Sequence, residues 1–252
     1  MELDAIGMVV VFLTALTATL LGTMSGGGLE IIMYPVFISL GIPVPLIIST
    51  AFTTNIFWSL PAAYNYLKGR VVDWTFVVIF SGIGIIGCYL GIAVILSVQP
   101  RMYQIGIGTI ILFLVAYLYL NTELGLEEKR EYSKTRGMLA YPFALLLGFY
   151  ELLLGAGNAI ALSILAFYTR GFDLIDSLGH YYLIVLPWSV FSAAFLISKG
   201  YFDVQLVILA ILGSVVGSYV GSRYARYKGN KFIKTLFVIV GGILGLKLLL
   251  GL

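Results

Sequence analysis

The sequence predicts an all-α integral membrane protein built as an inverted-topology repeat of two five-segment halves, with glycine-broken short helices meeting near the midplane. Three observations carry this. Of 252 residues, 60% are apolar and 11% charged, where a soluble domain is about half apolar and a quarter charged. Most apolar runs reach or approach the ~20 residues that span a bilayer, and none shows the period-2 alternation of a membrane barrel. The chain also repeats at a shift of about 130 residues: Ala62-Ala63 and Lys68-Gly69 meet Ala193-Ala194 and Lys199-Gly200. Asp73, Gly87, Tyr89 and Gly91 likewise meet Asp203, Gly217, Tyr219 and Gly221. A duplicated membrane unit with broken helices is a transporter plan.

The first segment, 5–22, is an uninterrupted apolar run. Met1-Glu2-Leu3-Asp4 carries no basic n-region, so this segment is expected to be retained. It runs into Gly26-Gly27-Gly28, where each glycine in a helix interior costs on the order of 1 kcal/mol against alanine. The segment after it, 28–41, carries Pro35 and is too short to cover much more than half a bilayer. The third, 44–67, has a polar step at Thr53-Thr54-Asn55. The fourth, 74–97, holds Gly87-x-x-x-Gly91, a spacing for close helix packing, and 103–120 completes the half. Asn121 to Gly137 is the one strongly charged stretch and forms a solvated linker. The second half opens with 138–154, which runs into Gly155-Ala156-Gly157-Asn158, and continues with a short segment, 158–169. Segment 178–198 contains Pro187-Trp188-Ser189, 203–224 contains Gly213, Gly217 and Gly221 at every fourth position, and 231–250 ends the half. The expected units are therefore 1–120, 121–137 and 138–252.

A single cysteine, Cys88, excludes an internal disulfide, and with a single histidine, His180, it leaves no His/Cys metal centre or bis-histidine haem; no cofactor is expected. The net charge of +3 calls for no nucleic acid. If each half changes sides an odd number of times, one face gathers Lys68, Arg70, Lys129, Arg130, Lys134, Arg136, Arg170, Arg223, Arg226, Lys228, Lys231 and Lys234 of the 15 basic residues. An even count would split the internal loops equally. The positive-inside rule thus favours an inverted repeat, with linker 121–137 cytoplasmic and both termini outside.

Unwound backbone in a bilayer is tolerated where it lines protein or a wet cavity. A helix restarting after such a break presents free N–H groups and a positive dipole end, which suits an anion. The candidate substrate-binding residues are Ser25, Gly26, Gly27 and Gly28, with Thr23 as a further hydroxyl, and Gly157 and Asn158 approaching from the other half. The alternative is a glycine patch for helix packing. Thr53, Thr54, Asn55, Trp188 and Ser189 are pathway candidates; hydroxyl and amide groups also serve as interhelical hydrogen-bond glue. Glu30, Glu151 and His180 are coupling candidates, since ionisable groups at membrane depth are costly. Against that, Glu30 can serve as a helix-start acid, and Glu151 and His180 as interface residues.

The chain resembles the TauE/SafE family of sulfite and organosulfonate exporters. The likeness is carried by Gly26-Gly27-Gly28 followed by Pro35, by Ser49-Thr50-Ala51-Phe52-Thr53, and by Lys68-Gly69-Arg70-Val71-Val72-Asp73-Trp74 with the glycine-spaced helix after it. It covers nearly the whole chain. It implies passage of small sulfur-containing anions across the cytoplasmic membrane, usually outward. The departures fall at the breaks: Thr23-Met24-Ser25 where the family is richer in glycine, Gly155-Ala156-Gly157-Asn158 without a triple glycine, and Asp176-Ser177-Leu178-Gly179-His180 in place of a small-residue run.

The expected protein is a secondary transporter for a small anion, possessing no catalytic residues, embedded in lipid, and working by rocking of one half against the other. An uncoupled channel or uniporter, a membrane enzyme and a scaffold are the rival classes. The sequence leaves the anion, the coupling ion, the direction and the oligomeric state open.

Overall fold

The computed structural model describes residues 4–27, 29–97, 100–127, 134–153 and 155–251. The protein is an all-helical integral membrane protein, with no strand among these residues. The helices are α1 (Ala5–Ser25), α2 (Leu29–Ser39), α3 (Val44–Leu67), α4 (Trp74–Ser97), α5 (Pro100–Leu120), α6 (Lys134–Met138), α7 (Tyr141–Leu153), α8 (Asn158–Arg170), α9 (Leu174–Ser198), α10 (Val204–Lys228) and α11 (Asn230–Leu250). Six of them, α1, α3, α4, α9, α10 and α11, are long and apolar enough to cross a membrane. Helices α2, α7 and α8 are short.

Aspartates start four of the long helices. Asp4, Asp73, Asp173 and Asp203 each accept a hydrogen bond from the backbone N–H three residues on, in Gly7, Phe76, Asp176 and Leu206, at 2.7 to 2.9 Å. Such caps satisfy one of the orphan donors of a first turn and typically contribute about 1 kcal/mol. The Asp173 cap explains why α9 begins at Leu174, ahead of the apolar run at 178. Segment 138–154 is shorter than its hydropathy suggests: Pro142 in the first turn of α7 fixes φ and has no N–H, so the helix begins there and α6 stands apart.

The helices of the two halves interleave. Helix α1 packs chiefly on α10 and α7 on α4, while α3 lies against α9 and α5 against α11. Glycines make the first two pairings close. A Cβ placed on Gly217 would fall 2.2 Å from Leu16 O, and on Gly221, 2.4 Å from Leu20 O. Across the other pair, a Cβ on Gly87 would fall 2.1 Å from Leu145 O, and on Gly91, 2.9 Å from Phe149 O. Backbone touches backbone in both places, where association rests on van der Waals fit. The positions matched in the sequence repeat, Gly87 with Gly217 and Gly91 with Gly221, do the same job at the two contacts. Helix α3 is the most deeply buried of these six spans.

Candidate functional site

Helix α1 ends at Ser25 because Gly26 turns left-handed, and the N–H groups of Gly26 and Gly27 both donate to Gly22 O. Gly27 has φ +112°, and Gly157, at the start of α8, has φ +82°; both are conformations that disfavour a side chain. The structure brings these two breaks together. A Cβ on Gly27 would lie 3.3 Å from Gly155 O and 3.6 Å from Gly157 N. Each break is walled by the last helix of the opposite half: Gly26 lies against the Phe237 ring of α11, and Gly157 against Ile111 of α5. Gly28 lies outside the described residues, as does the side chain of Glu30, whose backbone belongs to α2.

Polar groups surround this crossing. The Ser25 hydroxyl donates to Leu21 O at 2.8 Å. The Thr23 carbonyl, in the last turn of α1, accepts from the hydroxyls of Tyr66 at 2.8 Å and Tyr182 at 3.3 Å. On the other side Tyr150 donates to Ala156 O at 2.6 Å. No side chain caps the start of α8. Asn158 is wholly buried; its Nδ2 donates to Glu151 Oε2 at 2.5 Å and to Leu147 O at 3.1 Å, while its Oδ1 has no partner among the described residues. Glu151 is 4% exposed and also accepts from Tyr181 Oη at 3.0 Å. Among the described residues no cation pairs with it. A buried carboxylate held by two neutral donors, next to an unpaired amide oxygen, is a costly arrangement.

Thr53, Thr54 and Asn55 are buried within α3, and the two threonine hydroxyls donate back to Ser49 O and Ala51 O. The carbonyl and Oδ1 of Asn55 both accept from Ser59. One turn earlier, the hydroxyls of Ser49 and Thr50 are buried without partners among the described residues, as is that of Ser189 on α9. Trp188 packs into the notch at Gly84 of α4 and donates its indole N–H to Ser81 O at 2.9 Å.

His180 stands apart from the breaks, in a network at the end of the molecule that joins the α3–α4 and α8–α9 loops. Its Nε2 accepts from Asp73 N at 3.0 Å, which leaves the proton on Nδ1 to donate to Asp176 O at 2.7 Å. Its ring stacks on Phe172, centroids 4.3 Å apart. Arg70 pairs with Asp173 at 2.9 Å and Asp176 at 2.7 Å, and Arg170 pairs with Asp73 at 2.7 Å. Arg170 also donates to Tyr141 Oη at 2.9 Å and sits 4.6 Å from the Phe76 ring centroid. Asn230 adds a bond to Asp173 at 2.9 Å. Nearby, Lys234 donates to the carbonyls of Asn121, Thr122 and Leu124.

Sequence reasoning did not single out Tyr66, Tyr150, Tyr181 or Tyr182. The adjacency of Tyr150 to Glu151 was a signal for one of them; the others reach the breaks from distant helices.

The model of the family described as sulfite exporter TauE/SafE matches residues 11–248. A Bacillus subtilis protein named probable membrane transporter protein YdhB is 24% identical over 246 residues, covering 96% of this chain and 100% of that one. A probable membrane transporter protein from Haemophilus influenzae is 23% identical, covering 96% and 94%. The Sinorhizobium protein named probable membrane transporter protein ORF9 is 27% identical over 240 residues, covering 94% and 90%. No solved structure matches.

Proposed function

The chain belongs to the TauE/SafE sulfite exporter family, and on that premise we propose that it is a secondary transporter moving a small sulfur-containing oxyanion, such as sulfite or an organosulfonate, across the cytoplasmic membrane. The observation that carries this reading is the meeting of the two glycine breaks, with Gly27 against Gly155 and Gly157. Unwound backbone from both halves converges there, at the uncapped start of α8, where a positive helix end favours an anion. Ser25, Gly26, Gly27, Gly28, Gly157 and Asn158 form the substrate site. Thr53, Thr54, Asn55, Trp188 and Ser189 line the approach.

Glu151 is the coupling group. An ionised carboxylate beside the anion repels it, so the site fills when Glu151 carries a proton, and anion and proton then move together. The unpaired Asn158 Oδ1 suits an oxyanion that retains a proton of its own, as hydrogensulfite does.

Access alternates through an inverted repeat, a reading supported by the exchange of partners between halves: α1 on α10 as α7 on α4. This interleaving means that a moving body built from one half alone would lose its main packing. Each moving body therefore combines helices of both halves. The Arg70–Asp173 and Arg170–Asp73 pairs form the closed gate at the cytoplasmic end, with linker 121–137 on that side and both termini outside. No catalytic step is assigned to the protein.

The test is flux of labelled sulfite and thiosulfate in proteoliposomes, with and without an imposed pH gradient, for wild type, Glu151→Gln and Asn158→Ala. Gradient-driven flux that Glu151→Gln uncouples is the expected result. Flux indifferent to both the gradient and Glu151→Gln would establish an uncoupled anion uniporter instead. Absence of flux and of thermal stabilisation with every sulfur anion would remove the anion reading.

A further inference from the structure

Beyond the transport pathway, the last turns of α3 and α10 form an open cleft of about 380 Å³ whose lining, besides Asn65, is Tyr64, Lys68, Tyr219, Arg223, Arg226 and Tyr227. Three cations converge on it, and among the described residues no carboxylate lines it. Arg226 is fixed from behind, donating to Asn65 O at 2.6 Å and to Lys68 O, so its charge is held in place by the carbonyls that end α3. Arg223 rests on Tyr219, donating to its hydroxyl at 3.2 Å, and Lys68 sits 6.0 Å from the Tyr64 ring centroid. Neither has an acidic partner among the described residues. Cations placed over tyrosines are held in position without being neutralised.

A second chamber of about 340 Å³ adjoins the first, sharing Tyr219, Arg223 and Tyr227 and adding Val220 and Tyr224. From it an exposed apolar lane, Ile208, Leu212, Val216 and Val220, runs at four-residue spacing along α10 toward the other end of the molecule. Along a membrane-spanning helix, such a lane lies in the hydrocarbon, and the tyrosines at its end lie at the headgroup level. We infer that the cleft between α3 and α10 binds the phosphate of an anionic phospholipid, phosphatidylglycerol or cardiolipin, whose acyl chain follows the α10 lane. Basic pockets between membrane helices recognise such headgroups through charge. The apolar chamber and lane favour a lipid over a free oxyanion, which would use the cations alone. The inference is independent of the substrate assigned above.

The experiment uses full-length protein, delipidated in neutral detergent, with thermal unfolding and native mass spectrometry as readouts. The additions are phosphatidylglycerol, cardiolipin, phosphatidylcholine, and inorganic phosphate or sulfate. Arg223→Gln and Lys68→Gln, alone and combined, are compared with Lys199→Gln at the opposite end. The anionic lipids are expected to raise the melting temperature and to remain bound in the gas phase, while phosphatidylcholine and phosphate do neither. Each charge removed from the cleft is expected to weaken lipid binding about five-fold, with Lys199→Gln unchanged. Both cleft side chains are exposed at the surface, so lipid-free melting should be nearly unchanged in the variants. Stabilisation by phosphate equal to that by lipid would show a free-oxyanion site and overturn the proposal. Lipid stabilisation undiminished in the double variant, or no difference between anionic and zwitterionic lipid, would also overturn it.

Discussion

Arg170 and Asp73, 97 residues apart, meet at 2.7 Å across the boundary between the two halves of the chain. The pairing is reciprocal. Each half carries one Arg-x-x-Asp, Arg70 to Asp73 and Arg170 to Asp173, and each arginine takes the aspartate of the other. Ion pairs within either motif would tie a loop to itself; crossed, they tie one half to the other.

Asp73 has two roles that mutation can separate. Its Oδ1 caps Phe76 N and its Oδ2 holds Arg170. Asp73→Asn keeps an acceptor for the cap and removes the one carboxylate charge that the buried Arg170 guanidinium takes from the first half. A loss of about 3 kcal/mol is expected, read as a lower melting temperature, and Asp73→Ala should cost about 1 kcal/mol more. Equal stability of wild type and Asp73→Asn would show that the cap alone matters.

Two glycines on α4 should respond in opposite directions to alanine. At Gly87 the new methyl would fall 2.1 Å from Leu145 O, a contact that only backbone movement relieves. At Gly82 nothing lies within 4 Å. Gly87→Ala is expected to destabilise by roughly 1–3 kcal/mol or more, whereas Gly82→Ala should be neutral or stabilising by up to about 1 kcal/mol. Thermal melts of the two variants decide it, and a harmless Gly87→Ala would contradict the close α4–α7 contact.

Glu151→Gln preserves the shape of the side chain and an oxygen to accept from Asn158 and Tyr181. Stability should change by no more than about 1 kcal/mol, while anion flux loses its response to a pH gradient. A variant that still couples would transfer the role to another carboxylate, with Glu30 the next to test.

Asp203 caps α10 just outside the span, and the hydrogen bond from Leu206 N holds its carboxyl below the usual aspartate range. With the folded-state value depressed, its contribution is present at neutral pH, above the unfolded value, and is lost as pH falls through the folded one. Asp203→Asn should therefore flatten the acid side of the melting profile while leaving neutral stability within about 0.5 kcal/mol, since Asn is an equivalent cap. An unchanged acid limb in Asp203→Asn would assign the acid sensitivity to other carboxylates.

Much of the helix pattern was legible because length and hydropathy are local. The runs at 44–67 and 74–97 coincide with α3 and α4 to the residue. Long-range partners were less so. Gly27 meeting Gly155 and Gly157 followed from the idea of two converging breaks, yet the hydroxyls of Tyr66 and Tyr182 on Thr23 O left no periodic trace. The Arg-x-x-Asp pairs were visible as residues, but only the crossing of helices decides which carboxylate each arginine takes. His180 reads from sequence as an isolated titratable group. In three dimensions Asp73 N and Asp176 O occupy both of its ring nitrogens.

The main partner of α1, helix α10, is made late. Leu16 leaves the ribosome long before Gly217, the glycine against which its carbonyl packs, and at ~5–20 residues per second the interval is on the order of ten seconds or more. Throughout it, the ridge of α1 from Phe12 to Leu20 faces lipid or whatever else fills the groove that α10 will occupy. Helices α4 and α7 are separated by a shorter delay and can dock first. Assembly in the bilayer therefore begins in the middle of the chain and closes outward, and a nascent chain stopped before α10 holds α1 as a spare edge, open to a second copy or to quality control.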